Sequence, residues 1–175
     1  TAIQKVGWKR ATEIAGVTSG DIYNYFRSAP NQQINMPINM FRRLMDGTET
    51  DFNVTGKRIT RGTGNSIPAV VPVNEDFCRF LGYFVSEGYS ILADGCGGGV
   101  ILSNTSPALL NDMTMLSKNI FCLIPKSRIT HGAGDCVQLR LGSVPLASFL
   151  NKLGCGRICT EKRAPPLIFG LSRPK

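Results

Sequence analysis

The chain has 175 residues, 42% of them hydrophobic, and a net charge of +8 from 20 lysines and arginines against 12 aspartates and glutamates. That is enough for one domain of ordinary size or two small ones, and no run of about 18 apolar residues is present to cross a membrane. The basic excess favours a polyanionic partner, since lysine and arginine neutralise phosphates and release counterions, although charge alone fits a merely soluble basic protein equally well.

No charged-then-apolar leader opens the chain, so a cytoplasmic location is expected, and a start at Thr1 rather than Met reads as a processed or excised piece. Six cysteines, Cys78, Cys96, Cys122, Cys136, Cys155 and Cys159, accompany a single histidine, His131. Only Cys155 and Cys159 form a loose pair, and a structural zinc site needs two close pairs. Reduced thiols are the expectation.

Residues 1–50 read as a small helical module. Trp8, Ala11, Ile14 and Ala15 have helical spacing, Gly16 breaks it, and Ser19 can cap a second helix containing Ile22, Tyr23, Tyr25 and Phe26. Helix, glycine turn, helix is the pattern of a helix-turn-helix, with Gly16 and Val17 as the turn and Ile22 packing back on the first helix. Thr12 stands where such motifs usually carry alanine, and an ordinary helical hairpin fits the same residues. On the helix-turn-helix reading, Ser19, Asn24, Tyr25 and Arg27 form the exposed, DNA-contacting side of the second helix. Residues 29–40 read as a connection, Ile38 to Met45 as a third helix, and residues 51–75 as a linker with one possible strand near Ala69–Val73.

From residue 76 onward the pattern is regular. Residues 75–87 predict a helix, Tyr89–Ala93 a strand, Asp94-Gly95-Cys96-Gly97-Gly98-Gly99 a glycine turn, and Val100–Ser103 the return strand. A helix from Pro107 to Ile120 follows, then strands at Leu123–Thr130 and Cys136–Leu141, and a last helix at Val144–Leu153. Hairpins alternating with helices predict an α+β fold, an αββαββα layer whose antiparallel sheet is covered on one face and open on the other. The charge is concentrated here: nine basic residues after residue 122 against two acids leave +7, which reads as a binding face. Strand alternation puts Lys126 and Arg128 on one face of their strand, and Gln138 and Arg140 on one face of theirs.

The segment Phe80-Leu81-Gly82-Tyr83-Phe84-Val85-Ser86-Glu87-Gly88 combines three unusual choices. Gly82 in a helix interior costs about 1 kcal/mol relative to alanine. Ser86 lies one turn later, and two small residues at that spacing let helix backbones approach closely. Glu87 faces the negative end of the helix dipole, where a nearby cation would relieve it. Two such helices side by side bring two carboxylates together, an arrangement suited to Mg²⁺ and phosphodiester hydrolysis. On spacing alone, a solvated glutamate beside a C-cap glycine accounts for Glu87 as well.

Phe80–Gly88 resembles the LAGLIDADG motif of archaeal intein endonucleases: Gly82 matches its glycine, Glu87 its terminal acid and Gly88 its final glycine. Val100-Ile101-Leu102-Ser103-Asn104-Thr105 and the helix after it resemble that family's second strand and following helix. Leu153-Gly154-Cys155-Gly156 with Thr160-Glu161-Lys162-Arg163-Ala164-Pro165 resemble its segment between repeats. The likeness covers residues 64–175 and one repeat only. It implies a homing endonuclease half of the LAGLIDADG type: a saddle-shaped sheet on double-stranded DNA, read by Lys126, Arg128, Gln138 and Arg140, with Glu87 holding Mg²⁺ and Lys162 as the supporting basic residue. Gly82 and Ser86 would pair with a second LAGLIDADG helix, by dimerisation or from a longer parent chain. No splicing residues flank the segment. A non-cleaving DNA-binding regulator on the same fold, and an RNA-binding module, are the other readings.

Overall fold

The computed structural model describes residues 2–26, 36–49, 56–61, 64–92, 97–131 and 135–170. Two compact units divide the chain at Thr1–Val54 and Thr55–Lys175. Among the described residues no helix is long and apolar enough to cross a membrane.

The first unit consists of α1 (Ala2–Ala15, kinked at Gly7), α2 (Ser19–Phe26) and α3 (Ile38–Gly47). Ala11, Ala15, Ile22, Met40 and Leu44 are its buried core. Gly16, at φ 69°, ends α1: its N–H and that of Val17 donate to Glu13 and Thr12 carbonyls, a Schellman-type closure that favours glycine. The small residues buried among these helices are Ala11 and Ala15 rather than Thr12, whose hydroxyl turns back to the Lys9 carbonyl. Thr18, not Ser19, caps α2. Its hydroxyl accepts the Asp21 N–H, and the Asp21 carboxylate accepts the Thr18 N–H at 3.1 Å. Only Thr18 has an acceptor three residues on to return the bond, and the Thr18 hydroxyl, donating to the Asp21 carboxylate at 2.7 Å, together with the Thr18 N–H holds that carboxyl below its ordinary range.

The second unit begins earlier than the sequence pattern predicts. Within the expected linker, β1 (Arg58–Ile59) and β2 (Ile67–Pro68) pair antiparallel, and the strand expected at Ala69–Val73 is not formed. Side chains tie this hairpin down: Arg58 donates to the Phe121 carbonyl at 3.2 Å, Asn65 to the Gly142 carbonyl at 3.0 Å, and Ser143 to the Asn65 carbonyl at 3.0 Å.

Then come α4 (Glu75–Glu87), β3 (Gly88–Leu92), β4 (Gly98–Asn104), α5 (Pro107–Phe121), β5 (Lys126–Thr130), β6 (Cys136–Leu141) and α6 (Val144–Lys152). This is the αββαββα order, mixed helix and antiparallel sheet, an α+β fold. The sheet runs β3-β4-β6-β5, all neighbours antiparallel. Asn74 accepts the Phe77 N–H at 2.9 Å to start α4, with Glu75 and Asp76 favourably placed in its first turn.

Two boundaries differ from the sequence reading for physical reasons. Gly98 and Gly99 belong to β4 rather than to a turn; a Cβ on either would collide with the carbonyl of Ile91 or Leu141. Strand β5 starts at Lys126, because Cys122 (φ 55°) and Leu123 donate their N–H groups back to the last carbonyls of α5, and Pro125 has no N–H to offer.

One face of the sheet is covered. Val100, Leu102, Leu139 and Leu141 are buried against Phe77, Phe80, Leu81 and Phe84 of α4, Met113, Leu116 and Phe121 of α5, and Leu146, Ala147 and Leu150 of α6. Phe80 and Phe121 meet edge to face, 4.8 Å between centroids. Each fully buried side chain of this size contributes about 1.5–3 kcal/mol.

Candidate nucleic-acid interface and helix-end site

The uncovered face follows from register. Lys126 pairs with Arg140, and Arg128 with Gln138. On the other side of β6, Arg140 pairs with Ile101 and Gln138 with Ser103; Ile101 in turn pairs with Tyr89. Directly paired residues share a face, so one row reads Tyr89, Ile101, Arg140, Lys126 and the next Ser103, Gln138, Arg128. The structure therefore joins all four sheet residues named from the sequence. Lys126, Arg128 and Arg140 are exposed and Gln138 half-buried. Among the described residues none of the three cations has a salt-bridge partner. Lys126 and Arg140, two cations directly opposite on neighbouring strands, repel. Tyr89 and Ser103 were not singled out from the sequence. The alternation of β3 and β4 was visible, but only the pairing carries it across to the basic strands.

Glu87 is the last residue of α4 and is exposed. It immediately precedes Gly88, the first residue of β3, so this helix end abuts the β3 edge of the sheet. Lys162 reaches the same end from 78 residues away. Its ammonium donates to the Phe84 carbonyl, which also accepts the Gly88 N–H, and it lies 3.5 Å from the centroid of the Phe84 ring. A cation on the last carbonyls of a helix meets the negative end of its dipole. Burial lowers the Lys162 pKa from 10.5 to about 8, with the Cys155 and Cys159 thiols pulling the other way. An amine that releases its proton there is suited to proton transfer near neutral pH.

Gly82 and Ser86 lie on the exposed stripe of α4, opposite Phe77, Phe80, Leu81 and Phe84. The Ser86 hydroxyl donates to the Gly82 carbonyl at 3.0 Å, and a Cβ on Gly82 would meet nothing within 4 Å. No second helix packs on this stripe among the described residues. The flank of α4 is instead bound to α5, where Asp112 accepts from Tyr83 at 2.8 Å and pairs with Arg79 at 3.1 Å.

For the small module, Ser19 is exposed at the first position of α2. Asn24 and Tyr25 belong to α2 with side chains outside the described part, and Arg27 lies outside the described residues. Among the described residues no group of three or more His, Cys, Asp or Glu side chains could hold a metal ion. Glu87 supplies one carboxylate, and a single carboxylate beside substrate phosphates is chemically compatible with Mg²⁺, which retains several waters.

The chain matches no protein-family model. It is similar to segments of DNA polymerases. It is 32% identical over 121 residues to the DNA polymerase of Thermococcus aggregans, covering 67% of this chain and 6% of that protein. With the DNA polymerase of Thermococcus litoralis it is 30% identical over 109 residues, 60% of this chain and 6% of that one. An uncharacterized protein of Methanocaldococcus jannaschii is 38% identical over 99 residues, 56% of this chain and 12% of the relative. The chain thus spans a small part of each of these curated relatives.

Proposed function

We propose that this chain binds double-stranded DNA and forms half of a Mg²⁺-dependent homing endonuclease of the LAGLIDADG kind, encoded within an intein. One observation carries the reading: the exposed sheet face that sets Lys126 opposite Arg140 and Arg128 opposite Gln138. Arginine pairs with guanine edges and glutamine with adenine edges in the major groove, and Lys126, Arg128 and Arg140 are exposed on that face. A stretch matching 6% of a DNA polymerase is what an intein inserted in such a protein would give. In the assembled enzyme, Glu87 and a carboxylate from the second half would hold Mg²⁺, which supplies Lewis-acid activation of the phosphodiester. Lys162, anchored on Phe84, holds a positive charge or releases a proton beside the reacting phosphate. The Gly82–Ser86 stripe receives the second helix.

Charge reversal tests the sheet face. Arg128→Glu and Arg140→Glu should each weaken duplex binding by about 1–3 kcal/mol, read by anisotropy against competing structured RNA. Binding that is insensitive to salt and to both changes would remove the basis of the proposal. A stronger hold on RNA than on duplex would favour the RNA-binding reading.

The α1–α3 module serves as an auxiliary DNA clamp through α2. Its core is separate from that of the second unit, so a chain lacking residues 1–54 should keep the circular-dichroism spectrum expected of the remaining unit while losing affinity. Equal affinity with and without the module would sink the clamp.

A second reading, a DNA-binding protein without nuclease activity, is favoured by the one carboxylate that this chain brings to the helix end. Incubation of the chain and its second half with a plasmid library and Mg²⁺ separates the two: specific double-strand breaks require the enzyme.

A further inference from the structure

Lys162 is delivered by residues 154–163, a loop that doubles back around a 3-10 turn at Cys159–Glu161 to form an irregular hairpin, built more elaborately than one anchoring bond requires. Arg163 N–H donates to the Cys155 carbonyl at 3.3 Å, Arg157 N–H to the Glu161 carboxylate at 3.0 Å, and Glu161 N–H to the Ile158 carbonyl at 2.9 Å. The Arg163 guanidinium fixes itself through Nε on the Gly154 carbonyl at 3.1 Å, which leaves its two terminal nitrogens available. The hairpin also docks on the sheet: the Arg157 carbonyl accepts the Ser90 N–H at 3.0 Å, covering the edge of β3 three residues after Glu87. Arg157 and Arg163 are both exposed, and among the described residues neither has a salt-bridge partner. The one carboxylate within residues 154–163, Glu161, is engaged by the Arg157 main-chain N–H.

Two arginines on a hydrogen-bonded hairpin at the edge of a basic sheet are arranged for phosphate. Guanidinium groups bind phosphate oxygens with paired, charge-assisted hydrogen bonds. Position points to the backbone rather than to bases. A four-stranded sheet measures roughly 14 Å from edge strand to edge strand, more than the ~12 Å width of the major groove. Groups beyond β3 therefore overhang the sugar-phosphate chain, on the side where α4 ends.

We infer that Arg157 and Arg163 form a phosphate clamp that grips the DNA backbone next to Glu87, separate from the sheet residues that read bases. This rests on the DNA-binding reading above and adds a division of labour to it: the hairpin supplies sequence-independent affinity and register, and the sheet supplies discrimination.

The test uses the full chain and short duplexes of several unrelated sequences, with anisotropy followed from about 50 to about 200 mM salt. Arg157→Ala and Arg163→Ala should each weaken binding roughly tenfold, equally on every duplex. Each should lower the slope of log affinity against log salt by about 0.9. Arg157→Lys, which keeps the charge, should restore most of that slope. The alanine variant retains the Arg157 carbonyl on which Ser90 depends, and an unchanged circular-dichroism melt verifies the fold. If both alanine variants bind with wild-type affinity and slope while Arg128→Glu and Arg140→Glu bind weakly, the clamp is wrong and the sheet reading stands. Should the alanine variants weaken some duplexes and not others, these arginines read bases and the clamp is overturned in that form. If sheet and hairpin variants all bind like wild type, the DNA-binding reading itself fails.

Discussion

Glu87→Gln is expected to abolish DNA cleavage in the assembled enzyme while leaving DNA binding intact. The substitution keeps the size and polarity of an exposed side chain at the end of α4, so the fold has no reason to change. What it removes is the charge that, on the proposed function, would hold a divalent cation. Metal activation of a phosphodiester contributes several kcal/mol to the transition state, and a loss of about 3 kcal/mol is already more than a hundredfold in rate. Binding should stay level or tighten slightly, because an anion facing a polyanion is lost. Lys162→Met offers a contrast. It deletes the cation on the Phe84 carbonyl but leaves the Gly88 N–H to satisfy that oxygen, so cleavage should fall with DNA binding largely retained. The measurement is single-turnover cleavage with the second half and Mg²⁺ present. Wild-type cleavage by Glu87→Gln would exclude Glu87 as a ligand, and a wild-type assembly that never cuts would favour the non-cleaving reading.

Much of this was legible in the sequence where local rules decide. Phe77, Phe80, Leu81 and Phe84 recur at helical spacing between Asn74 and Gly88, and α4 has those bounds. The two-residue period of a strand was enough to put Lys126 with Arg128 and Gln138 with Arg140. Their union on one face was not legible, because it depends on β5–β6 register, which the residues joining the strands do not spell out. The β1–β2 hairpin was missed because each strand is two residues long, too short to show alternation; distant partners such as Phe121 and Gly142 hold it. Lys162 entered through resemblance alone, since no local pattern announces a contact 78 residues away in sequence. The capping of α2 turned on a one-residue choice between Thr18 and Ser19, which the reciprocal bond to Asp21 decides.

Gly82 should give opposite answers in the isolated chain and in the assembly. In the chain alone it sits on the exposed stripe of α4, and a Cβ there meets nothing within 4 Å. Replacing a helix-interior glycine at such a site relieves the backbone-entropy penalty, so Gly82→Ala should stabilise the chain by about 0.5–1 kcal/mol. In a unit of this size that amounts to a rise of a few degrees in Tm. Gly82→Leu should do nearly as well, since leucine is also a strong helix former and the site is open. With a second helix seated against Gly82 and Ser86 the sign reverses. A leucine side chain would hold the two backbones apart, lowering assembly, weakening binding to a full-length site and separating the two acids. The paired measurements are thermal melting at low protein concentration and sedimentation velocity with the second half added, each on wild type, Gly82→Ala and Gly82→Leu. A higher Tm together with lost assembly supports the pairing stripe. A higher Tm with assembly, binding and cleavage all undiminished would mean that this glycine serves no helix partner and that the two acids meet through some other face.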